Sequence, residues 1–446
     1  MSGVLGLIVF DEAVVGVALP TMRPELGMTL VASHWVVNAY LLTFTCFVAI
    51  AGRLGDALGH RDLFVAGIVI FGLASLVAGF APNGAWLIAA RAVQGIGAAV
   101  IFPSSWAMMT TNFPPERRGF AFGIQTTVGG IFMSAGPFVG GLFVAMLSWR
   151  WIFWINLPIV AAIAVIAIAA GTQPFEAKQT GPSAPKAGLD LVGPAALVLG
   201  LVALVLVLME GAGWGWSGTA TLALFCGAAV LLALFVVVET RRSDPLIELD
   251  LLRIATFTGG NLVFFAFQFN KVIVFVFGPL YLQEILHRSP ELAGFIVTAA
   301  VLPTLVTSVL CGKLVDRVGT RGPMLIGLLL NGSAVAFISL ATVYDSDVLI
   351  LAPLFLWGAT LPFVAIGSRR ALLGAVPPTK QSQASGINLT IQMLGGTIGM
   401  AICSALFAVT GSFGLVFLLT GAVVLATFPV AMLMIERPFP RGASKV

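Results

Sequence analysis

Two acidic side chains, Asp11 and Glu12, stand inside an apolar run that begins almost at the first residue. An ionised carboxylate is costly in hydrocarbon, so one found there ordinarily has a functional role. Low dielectric disfavours the charged form, which lets such a group bind and release a proton near neutral pH. That is the chemistry of a proton-coupling site. Neighbouring residues of a helix project about 100° apart, so the two cannot face one cavity squarely. Asp11 shares a face with Val15 and Ala18, and Glu12 with Gly16 and Leu19. Periodicity does not decide which face looks inward, nor whether one carboxylate simply pairs with a base on a neighbouring helix.

Two cations also fall inside apolar segments. Arg91 opens a run with Gln94, Gly95, Gly97, Ala98 and Ala99. A guanidinium stays charged at any relevant pH and in a bilayer needs a carboxylate, carbonyls or water. Asp11 and Glu12 are its natural partners, for proton coupling or for pinning helices together. Lys271, beside Asn270, either lines a central cavity, facing an anionic group or a carboxylate, or snorkels to an interface. Asn38, Gln94, Gln125, Gln268, Asn270 and Gln392 complete the candidate cavity set, with Lys271. Asn156 is a further polar candidate; such residues also serve as helix-to-helix hydrogen bonds. The run Phe264, Phe265, Phe267, Phe269, Phe275 and Phe277 is either an aromatic wall for an apolar ligand or a lipid-facing surface.

The elements that position these groups follow from composition. Of 446 residues, 59% are hydrophobic and 9% charged, against roughly 25% charged in soluble domains. The chain is therefore an all-α polytopic membrane protein. A span needs about 20 apolar residues, and fourteen segments qualify: 3–20, 33–52, 63–81, 85–110, 119–147, 151–170, 191–209, 218–238, 257–283, 292–312, 323–342, 348–368, 384–409 and 413–435. The first lacks a basic leader and a small-residue cleavage site, so it reads as a retained span, although only ten residues precede Asp11 and a start further upstream is the alternative. With the N-terminus in the cytoplasm, 18 of the 23 Lys and Arg fall in cytoplasmic segments. Three (Arg23, Arg150, Arg288) lie on the far side and two (Arg91, Lys271) inside spans. That asymmetry places both termini in the cytoplasm, and it accounts for the net charge of +4 without nucleic acid as a partner. Cys46, Cys226, Cys311 and Cys403 lie in apolar stretches without CxxC spacing, so neither disulfides nor a metal site is indicated. No cofactor is expected.

A duplication organises the spans. The segment Gly52 to Arg61 (GRLGDALGHR) returns 260 positions later as Gly312 to Arg321 (GKLVDRVGTR). Pro114 to Gly123 aligns with Pro377 to Gly386 at a shift of 263. Two homologous halves about a midplane site are a common plan for secondary carriers. The expected units are a six-helix bundle at 1–170, a cytoplasmic linker with two inserted spans at 171–256, and a second six-helix bundle at 257–446. In the Gly52 to Arg61 turn, Asp56 is expected to cap a helix N-terminus and to pair with Arg53 or Arg61, holding the halves in one state at the cytoplasmic surface, with Asp316 and Arg317 as the counterparts. The fifth span carries Gly136-Pro137 and Gly140-Gly141, a kink with a flat face that suits a hinge or seal.

Together these segments resemble the major facilitator superfamily, and within it the fourteen-span drug:proton antiporters. The resemblance rests on Gly52 to Arg61, Arg91 to Ala99, and Gly136-Pro137 to Gly141. It rests also on Asp11 with Val17 to Pro20, and on Trp149 to Pro158. It implies an exporter in the cytoplasmic membrane that exchanges protons for amphipathic small molecules, with Asp11 and Arg91 in coupling and Glu12 as a second carboxylate. Thr-rich residues usually follow the first-span Asp in that family, whereas Glu12 and Ala13 follow here. The partners expected are the substrate, protons and membrane lipid, for a monomer. Export of an endogenous lipid, siderophore or acidic metabolite is the alternative, favoured if Lys271 lines the cavity.

Overall fold

The computed structural model describes residues 2–113, 115–169, 192–242, 245–344, 347–377 and 380–436. The expected linker at 171–190 lies outside the described residues, as do Pro114, Pro378 and Thr379 of the second echo. The first half comprises α1 (Ser2–Glu25), α2 (Leu30–Leu58), α3 (His60–Gly79), α4 (Gly84–Asn112), α5 (Pro115–Met146), α6 (Trp151–Trp154) and α7 (Asn156–Ala169). Two further helices follow, α8 (Val192–Trp214) and α9 (Thr219–Thr240), then a short 3-10 turn at Leu249–Arg253. The second half comprises α10 (Ala255–Glu284), α11 (Pro290–Val301), α12 (Pro303–Val318), α13 (Arg321–Tyr344), α14 (Asp347–Gly374), α15 (Gln381–Thr410) and α16 (Phe413–Met434). Among the described residues the chain thus crosses fourteen times, all-helical, as two six-span bundles with two inserted spans. Thirteen crossings are long and apolar enough to span a bilayer, and the other is the shorter apolar segment Trp151–Ile166.

Two spans expected to be continuous are broken. The sixth is split at Ile155 between α6 and α7, and the tenth at Leu302 between α11 and α12. In both, a proline (Pro158, Pro303) sits in the first turn of the following helix. A proline is tolerated there because the first-turn N–H has no helical acceptor in any case. The repeated Gly52 to Arg61 segment also differs from a simple turn: Gly52–Leu58 is helical, and the reversal is confined to Gly59. Gly59 has φ +97° and Gly319, its counterpart, φ +86°. Side chains rarely adopt that region, which is why both copies end on glycine at this point.

The end of the bundle that holds Ser2 and Gly59 is called the near end, and the opposite one, with Glu25 and Leu30, the far end. Between the halves, α1 packs on α10, α2 on α15, and α5 on α11. One apolar core runs through both halves, from Val14, Phe71 and Ile101 to Phe277, Val301 and Phe417. The inserted α8 lies against both α2 and α15. Leu42 and Cys46 of α2 and Ala401 of α15 share a cluster with Leu197, Leu201, Val205 and Met209 of α8. Trp35 Nε1 of α2 donates to Glu210 Oε1 of α8 at 2.7 Å.

Contacts between the halves are close toward the far end. Gly141 of α5 lies so near α11 that a Cβ there would meet Pro290 O at 2.4 Å, and a Cβ on Gly294 would meet Pro137 O at 2.2 Å. Small residues at these two points let the backbones touch. Arg23 pairs with Glu284 at 2.8 Å, and Gln283 Nε2 donates to Val17 O at 2.9 Å. Arg150, another far-end cation, pairs with Glu25.

Candidate functional site

Asp11 lies inside the first half, fully buried, and forms an ion pair with the equally buried Arg91 of α4. The guanidinium spends its other donors nearby, Nη1 on Gln94 Oε1 at 2.6 Å and Nε on Val36 O at 3.0 Å. Its plane lies over the Tyr40 ring, 4.3 Å from the centroid, a cation–π contact that replaces part of its hydration. Gln94 Nε2 donates to Asp11 Oδ1 and to Ser75 Oγ, both at 2.9 Å. Asn156 Nδ2 approaches Asp11 Oδ1 at 3.4 Å and Ser75 Oγ at 3.3 Å. Helix geometry explains the set: Arg91 and Gln94 are three residues apart on one face of α4 and so reach one point together. The Arg91 guanidinium stays charged, so in this enclosed position it depends on the Asp11 carboxylate and the neighbouring acceptors to balance it.

Glu12, one residue on, points to the other half. Gln268 Nε2 of α10 donates to Glu12 Oε1 at 2.7 Å, and Lys271 Nζ meets Oε2 at 3.1 Å. Gln392 Nε2 of α15 donates to Gln268 Oε1 at 3.3 Å. The side chains of Lys271 and Glu12 are 9% and 10% exposed. Gly16, one turn along the Glu12 face, explains the approach: a Cβ there would meet Phe275 O of α10 at 2.0 Å. A single turn of α1 therefore carries two carboxylates, one inside its own half and the other bridging to the opposite half.

The remaining expected cavity residues divide. Gln268, Lys271 and Gln392 meet at the bridge between the halves. Gln94 is instead enclosed in the Asp11 cluster, and Asn270 turns into the second half, where Trp357 Nε1 donates to its Oδ1. Asn38 and Gln125 are buried, and among the described residues Asn38 has no hydrogen-bond partner for either side-chain atom. Of the phenylalanine run, Phe264, Phe269, Phe275 and Phe277 are buried in the protein core and so face no lipid; Phe265 and Phe267 are half-buried.

Among the gating candidates, Asp56 Oδ1 accepts from the His60 ring at Nε2, at 3.0 Å, and Asp56 does not cap α3. Arg53 and Arg61, expected as its partners, are half-buried. Asp316 pairs with Arg370 of α14, and Arg317 is exposed. Gly136 and Pro137 are buried between α1 and α11, and past the proline the Phe138 N–H donates to Thr298 Oγ1 of α11 at 3.0 Å. Tyr40, Ser75 and the Val36 carbonyl have no signature in the sequence that marks them as Arg91 and Asp11 partners. Tyr40 is one of only three tyrosines in the chain, and that scarcity inside a span is the one available signal.

The profile of the Major Facilitator Superfamily matches residues 1–244 and 260–445. The chain is 35% identical over 411 residues to the cephamycin export protein CmcT of Amycolatopsis lactamdurans, covering 91% of this chain and 83% of that one. It is 31% identical to the multidrug transporter protein MdtP of Bacillus subtilis (89% and 72% covered) and 32% identical to a puromycin resistance protein of Streptomyces alboniger (89% and 78% covered). A crystal structure of a D-xylose–proton symporter superposes with a TM-score of 0.69 at 14% identity, covering 98% of this chain and 97% of that one. An inward-open Escherichia coli xylose transporter gives 0.67 at 14%, covering 99% and 96%. Those two likenesses concern the fold. Profile, relatives and the fourteen crossings agree that the chain belongs to the major facilitator superfamily of membrane transporters.

Proposed function

We propose that the protein is a proton-driven exporter that moves amphipathic small molecules out across the cytoplasmic membrane, by exposing the space between its halves to one side and then the other. It acts as a monomer with both termini, and hence the near end, in the cytoplasm. The bias of Lys and Arg toward near-end segments supports that orientation. The working units are the bundles at 1–170 and 257–446, joined through a linker and inserted pair at 171–256. Relatives named for multidrug, cephamycin and puromycin export or resistance support the direction and the cargo class.

The observation that carries the reading is the divided pair on α1. A proton on Asp11 removes the charge that holds Arg91, which loosens α1 from α4 within the first half. Glu12 lies on the same turn, so a shift of α1 is passed to its contacts with Lys271 and Gln268 across the halves. Loss of the proton on the other side restores the Asp11–Arg91 pair and resets the carrier. One charge crossing the membrane yields about 2.3 kcal/mol per 100 mV, enough for more than tenfold accumulation. Asp56 and Asp316 with their neighbouring cations, and Gly136-Pro137 at the α5–α11 contact, bias which end is closed. Lys271 has a carboxylate partner already, which argues against a free docking cation and so against an acidic metabolite as the main cargo.

The test uses proteoliposomes with tetraphenylphosphonium and ethidium as cargo. Asp11→Asn is expected to abolish uphill export driven by a pH gradient while cargo exchange without a gradient persists. Retention of gradient-driven accumulation in Asp11→Asn defeats the proposal.

A further inference from the structure

Three polar side chains at the seam between α2 and α15 are fully buried and lack any hydrogen-bond partner among the described residues. They are His34 (both ring nitrogens), Asn38 (both amide atoms) and Ser404 (Oγ). The register of the two helices brings them together. Thr45 of α2 contacts Thr397 of α15, Oγ1 to Oγ1, at 3.0 Å. The helices run antiparallel, so two turns toward the far end lead from Thr45 to Asn38 and from Thr397 to Ser404. One turn further, the His34 ring lies 6.4 Å from that of Phe407 and 5.0 Å from that of Phe277 of α10. Asn38 and Ser404 are thus bracketed on both sides by observed contacts between the halves.

Buried polar groups are nearly always paired, and an unpaired one forfeits its bonds to water. Other hydroxyls of the same seam obey that rule: Ser33 donates to Leu30 O at 2.6 Å, and Thr45 to Leu41 O at 2.7 Å. His34, Asn38 and Ser404 do not. The amide of Asn38 and the hydroxyl of Ser404 are neutral, and the His34 ring, on which the Arg23 charge acts from the far end, adds ring nitrogens, so the chemistry presented combines hydrogen-bond donors with acceptors. The lipid side of the seam is closed, because Leu42 of α2 and Ala401 of α15 share an apolar cluster with Leu201 and Val205 of α8. If the halves part at the far end, these groups therefore open onto the space between the halves.

We infer that His34, Asn38 and Ser404 form a hydrogen-bonding subsite that takes hydroxyl, carbonyl or amide groups of cargo when the far end opens. It rests on the export reading and adds a determinant of cargo choice to it. Cargo would place an uncharged polar group here, at a distance from the Glu12–Lys271 pair on α1 and α10. Closing the seam leaves no room for cargo at the subsite, so cargo held there leaves through the open far end before that end shuts.

The test compares two cations of one shape, tetraphenylphosphonium and (4-carbamoylphenyl)triphenylphosphonium, exported from proteoliposomes at concentrations below saturation. The readout is the ratio of their kcat/KM values. The combined variant Asn38→Leu with Ser404→Ala is expected to lower the wild-type preference for the carbamoyl compound at least fivefold, and His34→Phe to lower it as well. A folding defect slows both cations together and leaves the ratio unchanged, so the ratio reports the subsite alone. An unchanged ratio in both variants overturns the subsite, including the case in which only water occupies it, while the export reading stands. Failure of the wild type to export either cation removes the export reading and this inference with it.

Discussion

Replacing Lys271 by Met while Glu12 stays in place tests whether the bridge between the halves is an energetic element. Both side chains are about nine-tenths buried, at 9% and 10% exposure. Removing one partner of a buried pair costs about 3–5 kcal/mol, because the remaining charge is left without compensation. Gln268 still donates to Glu12 at 2.7 Å, which places the variant at the lower bound, about 3 kcal/mol. At 1.4 kcal/mol per decade, that corresponds to roughly a hundredfold shift away from the state in which the halves meet at this point. The probe is Ser33, which is 1% exposed at the far end of α2 and is reached only when that end opens. In a chain whose four cysteines are replaced by alanine, Ser33→Cys is labelled with a membrane-impermeant maleimide. Lys271→Met is expected to speed labelling by one to two orders of magnitude. Adding Glu12→Gln removes the stranded charge and is expected to return the rate to within about threefold of the parent, since a neutral, similarly shaped pair is often tolerated. Labelling at the parent rate in Lys271→Met, or equally fast labelling in the single and double variants, refutes the argument.

Three further outcomes follow from the geometry. Gly294→Val places a branched side chain where a Cβ alone would meet Pro137 O at 2.2 Å, so the same maleimide assay should show a far end that no longer closes. Glu210→Gln keeps the shape but removes the charge from the bond to Trp35 at 2.7 Å, a loss of about 1 kcal/mol; the melting temperature in detergent is expected to fall by a degree or two. Asp316→Asn breaks a pair with Arg370 whose side chains are 59% and 48% exposed, so thermal stability should change by less than about 1 kcal/mol, and a larger loss would mean a structural role for that pair.

The crossings were legible because apolar length and charge punctuation are properties of the chain itself. The repeated segment, 52–61 and 312–321, was equally visible, and it holds the glycine, at 59 and 319, on which each copy reverses. The two helix breaks were not, because Pro158 and Pro303 sit within apolar runs that read as uninterrupted, and a first-turn proline leaves no polar mark. Periodicity separated Asp11 from Glu12 by about 100° but could not orient α1, since that depends on which helices surround it. Gly16 on the Glu12 face was the clue to a close neighbour there. Polar residues such as Gln94 and Asn270 carry the same ambiguity: helix-to-helix bonding within a half and exposure between halves demand the same side chain. The partnership of Glu12 with Lys271 joins residues 259 positions apart, and only the fold supplies it.

The inserted helices make the molecule lopsided in the plane of the membrane. On one flank α8 shingles over the junction of α2 with α15, whereas on the other the junction of α5 with α11 meets the bilayer through Phe138 and Phe295, whose rings lie 6.5 Å apart. Among the described residues, a compound dissolved among the acyl chains thus meets the roof of α8 on one flank and the outward-facing pair Phe138 and Phe295 on the other.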